Sequence, residues 1–263
     1  MTRWAGMVAV VTGAASGIGR ASAKAIAAEG GSVLATDIDV AGAEKTLSMI
    51  DGRGLALALD VTLEPAWESV FQRALAEFGR VDILVNCAGI GISGDVEDIE
   101  LESWNRVLAV NLTGTMLGCK HAIRAMKASG SAGSIVNISS IGGLLGTADL
   151  AAYSASKGGV TLLTKCVALN CAERGYGIRC NAIMPTYVDT EMLEPVAEQV
   201  GGREAMLAGM KANIPLGRLA RPEDIAHSVV FLASHESAMI TGTSFLVDGG
   251  TSAGLPSRHS SAA

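Results

Sequence analysis

Apolar positions along this chain fall in short unbroken runs, separated by longer stretches in which apolar and polar residues recur at helical spacing. Residues 7–12 read MVAVVT, a β-branched run that suits a strand covered on both faces. Residues 17–29 then place Ile18, Ala21, Ala25 and Ile26 on one side of a helix, and Gly30-Gly31 stops it. The same alternation continues along the chain. Strands are predicted at 32–36, 55–59, 81–85, 134–138, 178–183 and 244–247. Helices are predicted at 41–50, 64–78, 101–127, 152–174 and 222–233, with a less regular helix-rich segment from Pro185 to Ile214. Strand alternating with helix implies right-handed crossovers and a parallel sheet covered by helices on both faces, a three-layer α/β domain. No shift of composition and no internal repeat divides the chain. We therefore expect a single domain over 1–251, followed by a Ser/Ala-rich flexible tail at 252–263.

Composition narrows the class. The chain has 263 residues, of which 49% are hydrophobic, 17% charged and only 4% aromatic, with 32 glycines. Such a core is built from Ala, Val, Leu and Ile, with backbones packed closely. Area scaling gives about 70% of the unfolded surface buried, ample for one large core. Twenty basic against 26 acidic side chains leave a net charge of −6, which offers no basic footprint for nucleic acid. No lysine or arginine block suits an anionic membrane surface, and the longest uncharged stretch, 128–148, is too rich in Ser and Gly to span one. The first residues have no signal-peptide layout, and the five cysteines (87, 119, 166, 171 and 180) lack CxxC spacing. A reduced, cytoplasmic setting is expected. The four histidines show no metal-ligand spacing, so no metal is expected.

Two local patterns carry chemistry. Between the first strand and first helix lies Thr12-Gly13-Ala14-Ala15-Ser16-Gly17-Ile18-Gly19, with glycines spaced GxxxGxG. Gly13 permits a tight turn. Gly17 and Gly19 let a pyrophosphate approach the backbone, and the helix start at Ser16 to Gly19 offers free N–H groups and a positive dipole end. Asp37 ends the second strand, 24 residues after Gly13, near the spacing of an acid that accepts hydrogen bonds from a ribose. A carboxylate there suits the hydroxyls of NAD and repels a 2′-phosphate, so NAD is expected over NADP. The second pattern is Tyr153-Ser154-Ala155-Ser156-Lys157, which sets Tyr153 and Lys157 on one helix face just beyond the Ser-rich strand end 137–140. A third polar residue, Asn111, lies inside an apolar helical run, where burying an amide needs a hydrogen-bonding reason.

Taken together, Thr12 to Gly19, Asp60-Val61, Asn86-Cys87-Ala88-Gly89, Asn111, Ser140, Tyr153 and Lys157 resemble the short-chain dehydrogenase/reductase family over about residues 6–250. The resemblance implies a single Rossmann-type domain with a seven-stranded parallel sheet, a nicotinamide cofactor, and a dimer or tetramer assembled through the two long helices. It implies Tyr153 as general acid/base and Lys157 as the residue that lowers the Tyr pKa and holds the nicotinamide ribose. Ser140, thirteen residues before Tyr153, matches the serine that hydrogen-bonds the substrate oxygen, and Asn111 supports the proton path from Lys157. Asp60 and Val61 match adenine contacts, Asn86 and Gly89 line the adenosine side, and Val188 and Thr190 match contacts to the nicotinamide carboxamide. Two positions depart from the family pattern: Cys87, where a second Asn is frequent, and Thr186, where Gly usually follows the proline.

The segment from Thr186 to Ile214 carries Tyr187, Met192, Leu193, Val196, Val200, Met206, Leu207 and Met210. It reads either as a helical pair packed on the core or as a lid with an adaptable apolar inner face. With Arg203 and Lys211 its only lysine or arginine residues, it gives little support to a charge clamp for an acidic substrate. The expected activity is NAD-dependent interconversion of a hydrophobic secondary alcohol (cyclic, aliphatic or steroid-like) and its ketone. The alternative is a 3-oxoacyl thioester reductase of the same family.

Overall fold

In a computed structural model, which describes residues 4–193 and 202–254, seven strands form one parallel sheet. They are β1 (Val8–Thr12), β2 (Ser32–Asp37), β3 (Gly54–Ala58), β4 (Ile83–Asn86), β5 (Ser134–Ile138), β6 (Arg179–Pro185) and β7 (Ser244–Val247). Their spatial order is β3-β2-β1-β4-β5-β6-β7. The chain therefore runs outward from β1 to one edge, returns to β4 on the other side of β1, and runs outward again. This reversal makes a topological switch point between β1 and β4, where open parallel sheets bind ligands beyond the strand ends.

The helices cover both faces. On one side lie α1 (Gly17–Ala28), α2 (Val40–Leu47) and α8 (Pro222–Ala233). On the other lie α3 (Glu64–Phe78), α5 (Gly114–Ala128) and α6 (Ala151–Glu173). Successive strand residues point to opposite layers. Ala9 and Val11 enter the core with Ile26, Ile225 and Val229, whereas Val8 and Val10 enter the core with Trp67, Phe71 and Met126. All five positions of β1 are consequently buried, which explains its unbroken apolar run.

The long helix predicted at 101–127 is not continuous. It comprises α4 (Leu101–Leu108), a π turn at Ala109–Thr113 and α5. The turn surrounds Asn111, which is fully buried. Periodicity did not show this, because a π turn is a single widened turn, too short to stand out in the apolar spacing of a long helix. Of the predicted lid, residues 186–193 and 202–214 are described. They include a 3₁₀ turn at Glu191–Leu193 and α7 (Arg203–Ala212). Val196 and Val200, and positions 255–263 of the predicted tail, lie outside the described residues. Among the described residues no helix is long and apolar enough to cross a membrane.

Candidate active site

The site is built at the switch point from the loops that leave β1, β4 and β5. Thr12 ends β1, and its hydroxyl accepts hydrogen bonds from the backbone N–H of Cys87 and of Ala88, both at 3.0 Å. This fastens the loop after β4 to the glycine turn. Gly13 has φ +65°, and a Cβ on it would stand 2.9 Å from the Ala88 nitrogen. A Cβ on Gly19 would meet the Gly13 carbonyl oxygen at 2.0 Å, so helix and turn are packed backbone on backbone. Ser16 starts α1 without a capping side-chain bond, and the first helical turn holds no acidic residue. The leading N–H groups and the positive dipole end at Gly17, Ile18 and Gly19 are therefore not satisfied from within this helix. That is the cradle a pyrophosphate needs.

Asp37 lies beside this turn. One carboxylate oxygen accepts from the Ala15 N–H at 2.9 Å, the other from the Asp39 N–H at 3.0 Å. Asp60 holds its own turn, accepting from the Thr62 N–H and hydroxyl at 2.9 and 2.7 Å. Val61 is buried, with its side chain against Gly114 of α5. Asn86 ends β4 at the rim of the cleft. Its side chain turns into the core, where the amide donates to Asn137 at 2.9 Å and lies 3.4 Å from the Thr115 carbonyl. Only the end of its strand borders the cleft. Gly89 faces Asn111 and Lys157: a Cβ there would lie 3.3 Å from Asn111 Oδ1 and 3.4 Å from Lys157 Nζ.

Asn111 clamps the loop after β4 to α6. Its Oδ1 accepts from the Ile90 N–H at 2.8 Å, and its Nδ2 donates to the Ile90 carbonyl at 2.9 Å and to Ser156 Oγ at 3.0 Å. Thr115 donates its hydroxyl to the Asn111 carbonyl at 2.7 Å, one turn back along the chain. On α6, Tyr153 and Lys157 share one face, with Lys157 Nζ 5.7 Å from the centre of the Tyr153 ring. The lysine is almost fully buried and donates to the Ile138 carbonyl at 2.8 Å, at the end of β5. Ser140 follows on the same strand end and hydrogen-bonds the Tyr153 hydroxyl. Its neighbour Ser139 faces inward instead, bonding the Lys157 carbonyl at 2.9 Å and Thr161 at 2.8 Å. Ser139 is thus a structural residue.

The ligand-free electrostatics differ from the expected picture of a phenol lowered by its lysine. Burial pushes the Tyr153 phenol up, opposed by the Ser140 hydrogen bond, with the nearby Cys87 adding to the rise. Burial also pulls Lys157 down to about 8. The Cys87 thiol is pushed up to about 12 by burial, against the charge of Lys157. Desolvation is the largest influence on all three, because burial disfavours the charged form of each.

The loop beyond β6 meets the cofactor turn. Val188 is buried and bridges to Ala220, while the Thr190 methyl would lie 3.0 Å from a Cβ on Gly17. The roles of Thr12, Ser156 and Ile90 as anchors were not legible in the sequence. Each acts through backbone geometry or a local hydroxyl bond that no spacing announces. A separate group on the α3/α5 face was also unannounced: Glu64, Glu68 and His121 bring ligand-type atoms within 4.8 Å of one another, with Lys120 paired to Glu64.

A glycine cradle at a switch point, a carboxylate after β2 and a Ser-Tyr-Lys constellation define a dinucleotide-dependent oxidoreductase. The comparisons make this specific. The model of a family described as "Enoyl-(Acyl carrier protein) reductase" matches residues 13–252. The NADP-dependent (R)-specific alcohol dehydrogenase of Lentilactobacillus kefiri is 39% identical, over 95% of this chain and 98% of that one. The cis-4-hydroxycyclohexanecarboxylate dehydrogenase of Sinomonas cyclohexanicum is 42% identical, over 94% and 96%. The solved structure of a short-chain type dehydrogenase/reductase from Mycobacterium marinum superposes with TM-score 0.89 at 31% identity, over 96% and 98%. The chain belongs to the short-chain dehydrogenase/reductase family, whose members are oxidoreductases that use a nicotinamide cofactor.

Proposed function

We propose that the protein interconverts a hydrophobic secondary alcohol and its ketone, with NAD as cofactor. The observation that carries this reading is the Ser140–Tyr153–Lys157 group at the ends of β5 and α6, opening on a loop that Asn111 holds in place. A bound nicotinamide supplies the redox chemistry, and the chain's residues handle the proton and the oxygen. Tyr153 Oη takes the hydroxyl proton in oxidation and returns it in reduction. Ser140 Oγ donates to the substrate oxygen as charge develops there. Lys157 holds positive charge beneath the phenol. Bringing a phenol from 10 to 7 requires about 4 kcal/mol of favourable interaction, so positive charge from both the lysine and an oxidised nicotinamide is needed.

Asp37 supports NAD. A 2′-phosphate beside it would face the carboxylates of both Asp37 and Asp39, which caps α2 by accepting from the Gly42 N–H. The glycine cradle and the open start of α1 suit a pyrophosphate. The hydrophobic substrate is supported by the apolar residues of the loops beyond Ser140 and β6, with Leu144, Leu145 and Met192 all well exposed. The Sinomonas relative, named for a hydroxycyclohexane acid, favours a cyclic alcohol; the kefiri relative, named for NADP, points the other way on cofactor. We further read the stripe Leu162, Cys166 and Leu169 on the exposed side of α6 as a contact between copies in a homo-oligomer.

Steady-state kinetics test the reading, with a cyclic alcohol, a hydroxysteroid and a 3-hydroxyacyl thioester, each offered with NAD⁺ and with NADP⁺. Turnover of an apolar alcohol with higher kcat/KM for NAD⁺ is expected. Activity confined to the thioester, or a preference for NADP⁺, would overturn it.

A further inference from the structure

The start of α1 is approached by a carboxylate from elsewhere in the chain. Glu191, in the 3₁₀ turn beyond β6, places its Oε2 3.7 Å from where a Cβ on Gly17 would stand. Its Oε1 lies 3.6 Å from Arg20 Nη1. Arg20 is itself held to the cofactor turn. Its Nε donates to Thr46 at 3.1 Å, and its guanidinium hydrogen-bonds the Ala15 carbonyl. Arg20 and Glu191, with Lys24, Asp189 and Arg203, line a cavity of about 340 Å³ that opens beside Gly17. Arg203 pairs with Asp189 across it.

We propose that Glu191 is a resident anion at the phosphate cradle. Its carboxylate sits against the positive end of α1, balances Arg20 in the ligand-free chain, and is displaced as a dinucleotide enters. The physics follows from the sign of the charges. The first turn of α1 holds no acid of its own and Ser16 makes no capping bond, so its positive end attracts any nearby anion. Glu191 is more than half exposed, free to swing outward once the pyrophosphate arrives. Because it follows Thr190, which packs on Gly17, its release couples cofactor entry to the loop that borders the substrate side. The chain thus trades cofactor affinity for a loop position set before binding. This rests on the dinucleotide reading above.

The test is binding, measured by quenching of protein fluorescence on titration with NADH, ADP-ribose and adenosine. In Glu191→Gln the carboxylate charge is lost and the side-chain volume kept. Its Kd for NADH and for ADP-ribose should fall about threefold at low salt, within the range of exposed charge interactions. The gain should shrink at high salt, and adenosine, which lacks phosphate, should bind unchanged. Glu191→Asp, which keeps the charge, should stay nearer the wild type for the phosphate-bearing ligands. Equal or weaker binding of ADP-ribose by Glu191→Gln would overturn the proposal, as would an equal gain for adenosine. If the wild-type chain binds adenosine but neither NADH nor ADP-ribose, the dinucleotide reading itself fails.

Discussion

Lys157 shows how much one buried cation costs. Its folded pKa of about 8 lies below the 10.5 of the unfolded chain, so folding disfavours the charged form. Below pH 8 both states carry the proton and the cost is complete. Between about pH 8 and 10.5 the unfolded chain still binds a proton that the folded chain has lost, so stability rises with pH. The full difference is about 3 kcal/mol. Cys87 acts in the opposite sense above pH 9, because its folded thiol resists ionisation. Comparing the wild type with Lys157→Met brings out the lysine; above pH 9 Cys87, which loses the opposing charge of Lys157 in the variant, adds to the difference in the same direction. Urea unfolding of the ligand-free proteins should show the wild type gaining on the variant from pH 8 to 10. Parallel profiles would mean that the ammonium is solvated after all. Tyr153→Phe tests the neighbouring group. It should lose at least about 10²-fold in kcat, the usual weight of acid–base catalysis, while NADH binding is kept. An undiminished rate would remove Tyr153 from the proton path.

At the scale of elements, most of the fold was legible. The strand runs are apolar on both faces because both faces are covered, and the turn residues stand where strands pass into helices. Tyr153, Lys157 and Ser140 were legible because two share a helix face and the third ends the adjoining strand. Asn111 was visible as a misplaced amide, yet its consequence was not. A one-residue shift of phase is hard to see in a helix with polar interruptions, and the packing of Asn111 against Ile90 and Ser156 is what reveals the π turn. The inward turn of the Asn86 side chain was not legible, because a motif identifies a residue without saying which way its side chain points. Thr115 carries the prediction here. Thr115→Val removes the hydroxyl that satisfies the Asn111 carbonyl, at a cost of about 1 kcal/mol in stability. With the turn loosened, kcat should fall while KM changes little. An unchanged kcat at lowered stability would make the turn a matter of packing only.

For the whole molecule, α6 has two unlike sides. One carries Tyr153 and Lys157 against the strand ends; the other exposes Leu162 and Leu169, each about two-thirds open to solvent. On the reading proposed above, this stripe seats a second copy. Replacing both leucines with glutamate should halve the molecular mass measured by light scattering, or reduce it further, with secondary structure retained. An unchanged mass would place any assembly on another face.

The strand order has a consequence for synthesis. After β1, every strand pairs with one that precedes it in the chain: β2 on β1, β3 on β2, β4 on the free side of β1, then β5, β6 and β7 each on the one before. The sheet can therefore grow outward in the order in which a ribosome delivers it, with no strand waiting for a partner not yet made. The cofactor turn is the first part of the site to emerge. β4, β5 and β6 in turn form the exposed growing edge, and β7 covers the edge of β6 when it docks. A chaperone or ribosome-arrest experiment should find the nascent chain most prone to aggregate just before residue 244 clears the exit tunnel.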